Sequence, residues 1–237
     1  HLHFTATEEY KNRVIQLGEQ PNKVFNVGGL GIDNINKLKL LSKADFENAI
    51  DFTFGKKNIL VTFHPVTLEN FTAKVQFQEL LNSINKLENT KIIFTKANSD
   101  TNGRIINSMI DDYVAINDNS IAFTSMGALN YLSALQFVDV VVGNSSSGLL
   151  EAPSFNIATI DIGDRQKGRI KADSVISCSP TQESISSAFY KSYSEDFQNI
   201  VDNTKNPYGS GGASKIVVDI IKGFDLNGIL KKTFYDL

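Results

Sequence analysis

From Ile59 to Cys178 the chain alternates short apolar runs, rich in β-branched residues, with longer amphipathic segments. The runs are Ile59–Phe63, Lys91–Thr95, Ile121–Thr124, the valines of Val138–Val142, Ala158–Ile162 and Val175–Cys178. Helical periodicity separates the first four, at residues 71–87, 103–114 and 128–137. In the first of these helices Val75, Leu80, Leu81, Ile84 and Leu87 share one side. Strands alternating with helices of this length predict a parallel sheet with right-handed crossovers. The expected fold class is therefore α/β, a Rossmann-like parallel sheet with helices on both faces. Shorter strands are expected at 2–6 and 24–27, and helices at 7–17, 182–201, 213–224 and 229–235. The polar stretch Asn34–Lys43 reads as a linker centred near residue 35, and Asn206–Gly212 as a turn-rich break.

Composition narrows the function. The formal charge of −3 offers no electrostatic case for nucleic acid. No apolar run approaches the roughly 18 residues that span a bilayer, so no membrane partner is expected. The single cysteine, Cys178, excludes an intrachain disulfide framework and fits a reducing, cytoplasmic setting. Apolar residues make up 41% of the chain, enough for a sizeable core. The opening His1-Leu2-His3-Phe4, without methionine or signal peptide, is expected to belong to something longer.

In a parallel sheet of this kind ligands sit beyond the carboxyl ends of the strands, so chemistry is read from the strand-end loops. After the valine strand come Gly143-Asn-Ser145-Ser146-Ser147-Gly148 and then a short helix. Free backbone N–H groups and serine hydroxyls at a helix start suit a phosphate, although serines also cap helices with no ligand present. His64, after the first long strand, has the chemistry of a phosphate ligand or proton carrier, or of a structural strand-end histidine. Asn98, Ser99 or Asp100 stands where a cap for the next helix is needed. Ser125-Met126-Gly127 is either a plain turn or bare backbone for the edge of a flat base. Glu151, in a helix first turn, is favoured there by the dipole and is also a candidate acceptor for ribose hydroxyls. Arg165 and Arg169, among glycines in Gly163–Arg169, match a diphosphate or are ordinary surface cations. As a set, these loops point to a nucleoside diphosphate. No metal ligand set and no cofactor is expected.

Several strings then occur in a familiar order: His1–Glu9, Val27-Gly-Gly-Leu-Gly-Ile-Asp33, His64-Pro-Val-Thr67, Gly143–Gly148 with Glu151, Gly163–Arg169, and Asn206-Pro-Tyr-Gly209 with Gly211. They resemble the hydrolysing UDP-N-acetylglucosamine 2-epimerases of sialic-acid and related nonulosonic-acid synthesis. Ser210 departs from the acidic residue expected at that place. The resemblance implies the later portion of a two-domain, glycosyltransferase-B-type fold. Residues 1–35 would then be a remnant of the first domain and crossover, and 36–237 the nucleotide-binding second domain.

By the same resemblance, Ser145 and Ser146 would hold the diphosphate and Glu151 the ribose. Arg165, with Gln166 and Arg169 close by, would approach the phosphates. Met126 would offer backbone to uracil, Asn98 would lie near the nucleotide, and His64 would help the glycosidic oxygen leave. The implied reaction converts UDP-N-acetylglucosamine to N-acetylmannosamine and UDP, with carboxylates upstream of His1 taking the C2 proton. A homo-oligomer is implied for the full-length enzyme. The competing readings are a silent nucleotide-sugar-binding fragment and a glycosyltransferase of the same fold. A dinucleotide oxidoreductase is disfavoured because Gly28–Gly31 lacks the fingerprint spacing and shows no helix signal right after it.

Overall fold

The structure, a computed structural model, describes residues 1–66, 72–98 and 102–236. Thr67, Phe71 at the expected helix start, and the candidate caps Ser99 and Asp100 lie outside the described residues. In chain order the elements are β1 (His3–Thr5), α1 (Glu8–Gln16), β2 (Val24–Asn26), α2 (Leu30–Lys37), α3 (Lys43–Ile50), β3 (Lys57–Thr62), α4 (Ala73–Ile84), β4 (Thr90–Thr95), α5 (Gly103–Ile116), β5 (Ser120–Phe123), α6 (Gly127–Ala134), β6 (Val140–Gly143), α7 (Ser147–Leu150), β7 (Ala158–Ile162), β8 (Val175–Cys178), α8 (Gln182–Ser192), α9 (Glu195–Asp202) and α10 (Ala213–Gly223).

The chain packs as two compact units, one of His1–Leu38 with Asn206–Leu237 and one of Lys39–Lys205. Residues 206–237 thus fold with the first unit and not with the rest of 36–237.

In the smaller unit β1 and β2 pair in parallel, with Phe4 opposite Phe25. Thr7 caps α1, its side-chain oxygen accepting the Tyr10 N–H at 3.2 Å, and Glu8 and Glu9 suit the first turn. Residue 35 itself lies inside α2, which follows Gly28-Gly29 directly, and the break between the two units falls a few residues later, at Leu38–Lys39, within the polar stretch. A helix therefore does come after the glycines, and its start is occupied by the chain itself, the Gly29 N–H donating to Tyr208 O at 2.7 Å. Asp33, buried at 5% exposure, accepts the N–H groups of Gly212, Ala213 and Ser214 at 2.7, 3.0 and 2.8 Å, and the Ser214 hydroxyl as well. One carboxylate thereby caps α10 from about 180 residues away and holds the two glycine-rich motifs of this unit together. These bonds, the Ser214 hydroxyl first, hold the Asp33 pKa down to about 2. Residues 229–235 form no helix. Leu230 and Phe234 there are exposed, and without a face to bury the sequence takes turns around Gly228.

The larger unit holds a six-stranded parallel sheet in the order β5-β4-β3-β6-β7-β8. Counted from β3 this is 3-2-1-4-5-6, the doubly wound Rossmann order, whose switch point lies between β3 and β6. Ile59, Val61 and Phe63 alternate onto one face and join Phe77 and Leu80 of α4, Ile106 of α5 and Phe189 of α8 in the main core. Leu60, Ile93 and Val141, of opposite pleat, are equally buried. A second layer of α3 and α6 carries its own aromatic cluster, with the rings of Phe46, Phe54 and Phe137 within 6.3 Å of one another. The polar stretch before β3 thus contributes α3, capped by Ser42, whose buried Phe46 and Ile50 were hidden in a short, mostly polar segment. The helix expected over 182–201 is two. Ser194, in extended conformation, accepts the Phe197 N–H and starts α9 afresh, with Glu195 and Asp196 in its first turn.

Candidate functional site

The strands β3 and β6 lie side by side, with Thr62 opposite Gly143, at the point where the strand order reverses. Gly143 has φ +134°, and a Cβ there would lie 1.9 Å from Thr62 O. Glycine is the residue that lets the strand end approach this closely.

Asn144 is the knot of the site and is itself buried. Its Oδ1 accepts the His64 backbone N–H at 2.7 Å and its Nδ2 donates to His64 O at 2.8 Å. The side-chain amide thereby substitutes for a strand partner across the switch point. On its other side the Asn144 carbonyl accepts from Arg165 Nη1 at 3.0 Å and from Gln166 Nε2 at 2.8 Å. Loops that follow β3, β6 and β7 are fastened to this single residue.

The loop after β4 joins them through His64. The Asn98 N–H donates to His64 Nδ1 at 3.3 Å, so the proton of the neutral imidazole is carried on Nε2. Asn107 of α5 fixes that loop by accepting the Ala97 N–H at 2.7 Å and donating to Ala97 O at 3.3 Å. Asn98 is not the cap of α5; Asn102, at φ +71°, holds the N-cap position.

In the serine loop, Ser145 and Ser146 are half-buried and their N–H groups have no partner among the described residues. Ser146 sits at the N-cap of α7, yet its hydroxyl makes no cap bond. The Ser145 hydroxyl accepts the Ser147 N–H at 3.4 Å, a long contact. Because α7 is four residues long and runs into a 3₁₀ turn at Ala152–Phe155, its macrodipole is small and the local donors dominate. Glu151 stands not in a helix first turn but between the two, as the C-cap of α7 and the N-cap of the 3₁₀ turn. Burial pushes its carboxyl pKa up, Ser147 draws it partly back, and Oε2 has no partner among the described residues.

In the loop after β7, Gln166 is 2% exposed and its Oε1 is buried without a partner among the described residues. Arg165 remains exposed beyond its bond to Asn144. Arg169 is exposed too, tied in by its backbone N–H to Gln166 O at 3.2 Å. Met126 is buried at the N-cap of α6, and Gly127 beside it has φ +67° with open space where a Cβ would stand.

The structure therefore brings His64, Asn98, Arg165 and Gln166 into one bonded cluster with the serine loop beside it. No described contact ties Met126 or the Arg169 guanidinium to that cluster. Sequence reasoning passed over Asn144, visible only as a letter in the Gly-Asn-Ser-Ser string. It also passed over Tyr131, whose hydroxyl donates to Ser147 Oγ at 2.7 Å.

The profile of a family described as UDP-N-acetylglucosamine 2-epimerase matches residues 1–222. The chain is 38% identical over its whole length to the GDP/UDP-N,N′-diacetylbacillosamine 2-epimerase (hydrolysing) of Campylobacter jejuni, covering 62% of that protein. It is 40% identical, again over its whole length, to a polysialic acid biosynthesis protein of Escherichia coli, covering 60% of it. The chain thus spans about three fifths of these relatives' length. Among solved structures, the S. aureus MnaA–UDP co-structure superposes with a TM-score of 0.77 at 19% identity, covering 100% of this chain and 62% of that one.

Proposed function

The chain belongs to the UDP-N-acetylglucosamine 2-epimerase family, and from that premise we propose that residues 39–205 form the nucleotide-binding portion of a hydrolysing nucleotide-sugar 2-epimerase. One observation carries the reading. Three strand-end loops are tied to Asn144 at the switch point, and around that knot the Ser145 and Ser146 N–H groups, Gln166 Oε1 and Glu151 Oε2 have no partner among the described residues. Unpaired donors beside the Arg165 guanidinium suit the diphosphate of UDP. Glu151 accepts the ribose hydroxyls, and the backbone at Met126, opened by Gly127, takes the uracil edge. Arg169 stands as a second cation near the phosphates. His64, held through Nδ1 by Asn98, presents the proton on Nε2 to the departing glycosidic oxygen.

In the proposed reaction a base takes the C2 proton of UDP-N-acetylglucosamine while the C1–O bond breaks. UDP leaves, and a 2-acetamidoglucal remains. Water then adds its oxygen at C1 while C2 is protonated from the opposite face, giving N-acetylmannosamine. The residues named serve the leaving group, where negative charge develops. The name of the Campylobacter relative favours a second substrate, a diacetamido sugar carried on UDP or GDP.

A proton NMR time course with UDP-N-acetylglucosamine, and with the diacetamido sugar in parallel, tests the reading. UDP release with the epimerised sugar supports turnover, and broadened uridine signals without product support the binding portion alone. A folded chain that leaves UDP and GDP sugars untouched overturns it.

A further inference from the structure

A row of hydroxyls runs beneath the switch point and ends on Glu151. Thr95 and Thr62, opposite each other on β4 and β3, hydrogen-bond through their Oγ1 atoms. Thr62 lies near enough to the Tyr131 phenol to draw its pKa down. Tyr131 donates to Ser147 Oγ at 2.7 Å, and Ser147, one helical turn before Glu151, draws the Glu151 carboxyl pKa down against its burial. Each hydroxyl owns one proton. With the Tyr131 proton given to Ser147, the Ser147 proton is left for Glu151, and the Tyr131 oxygen is left to accept from Thr62. From Tyr131 onward the row is therefore directional, each donor aimed toward the carboxylate, and such chains polarise one another; at its far end the Thr95 hydroxyl also reaches Val61 O at 3.5 Å. Glu151 Oε2 still lacks a partner among the described residues.

We infer that Tyr131 is a positioning residue that, through Ser147, fixes Glu151 as an acceptor for the vicinal hydroxyls of a ribose. The inference rests on the nucleotide reading above. Tyr131 lies on α6 and makes no ligand contact of its own; it sets which way the Ser147 proton points and hence which lone pairs of Glu151 face the sugar. Burial keeps its phenol neutral, with a pKa near 12, so it remains a donor throughout the ordinary pH range.

The test is calorimetry of the chain with UDP and with 2′,3′-dideoxy-UDP. The wild-type chain is expected to prefer UDP by about tenfold or more, the scale of a charge-assisted hydrogen bond. Tyr131→Phe keeps the ring and removes the donor, and is expected to lower affinity for UDP while leaving the dideoxy nucleotide unchanged, so that the preference collapses. Ser147→Ala cuts the same row nearer the surface and is expected to do likewise, which covers a fold defect in the tyrosine variant. If both nucleotides weaken equally, or the preference survives in both variants, Tyr131 is structural and the inference falls while the nucleotide reading stands. If the wild-type chain itself binds neither nucleotide or shows no preference, the ribose role of Glu151 fails, and the inference fails with it.

Discussion

At the scale of single residues, the site depends on an asparagine whose role is to hold other groups. Asn144→Ala leaves the His64 N–H and carbonyl without their partners in a buried place. At about 1–3 kcal/mol for each of the two unsatisfied groups, a loss of about 2–6 kcal/mol is expected in urea unfolding. The phosphate assignment is tested at the surface of the same cluster. Arg165→Ala and Ser146→Ala are each expected to weaken UDP binding by about 1–3 kcal/mol, read by calorimetry. The Ser146 hydroxyl is not spent on a helix cap, so its removal costs the fold little. Unchanged affinity in both variants, with the fold intact, would reject the assignment. The types at His64, Ser145, Ser146 and Arg165 were legible because strand-end loops are where chemistry collects. Asn144 was not, since its partners lie 80 and 22 residues away and no local pattern marks such a bond.

At the scale of elements, two close approaches set the geometry. Gly143→Ala pushes a methyl into the Thr62 carbonyl and forces φ +134° on a residue with a side chain. A destabilisation of at least about 3 kcal/mol is expected, from backbone strain and overpacking together, measured as a fall in urea midpoint. The other is the grip of Asp33 on α10. The folded pKa near 2 lies below the ordinary value of 3.8, so the unfolded chain binds the proton first. The stability from this carboxylate is full above pH about 4 and is lost as pH falls toward 2. Asp33→Asn is expected to flatten that part of the acid-unfolding curve; a curve unchanged between pH 4 and 2 would deny the carboxylate its role. The strands were readable from their β-branched runs, and Ala158–Ile162 falls where the sequence places it. The eight-residue helices α2 and α3 escaped because two turns of mixed sequence show too little periodicity.

At the scale of the whole molecule, the chain is two packed units, and the proposed ligand belongs to one of them. Saturation with UDP at 100 times Kd is expected to stabilise the binding unit by about 2.7 kcal/mol. Hydrogen exchange should slow at Asn144–Leu150, at Asn98 and across Gly163–Arg169, while amides 213–223 exchange as before. Protection spread evenly over the chain would argue against a site confined to the switch point. The sequence by itself determined the class of fold, the strands and the residue types at their ends, since hydrophobic period and loop chemistry are local properties. Only the tertiary structure decided that β3 lies between β4 and β6. It also decided that 206–237 returns to the first unit, and that Asn144 and Asp33 are the residues on which distant motifs converge. Pairing order and buried hydrogen bonds join residues far apart in the chain, and they become definite only when the core closes around them.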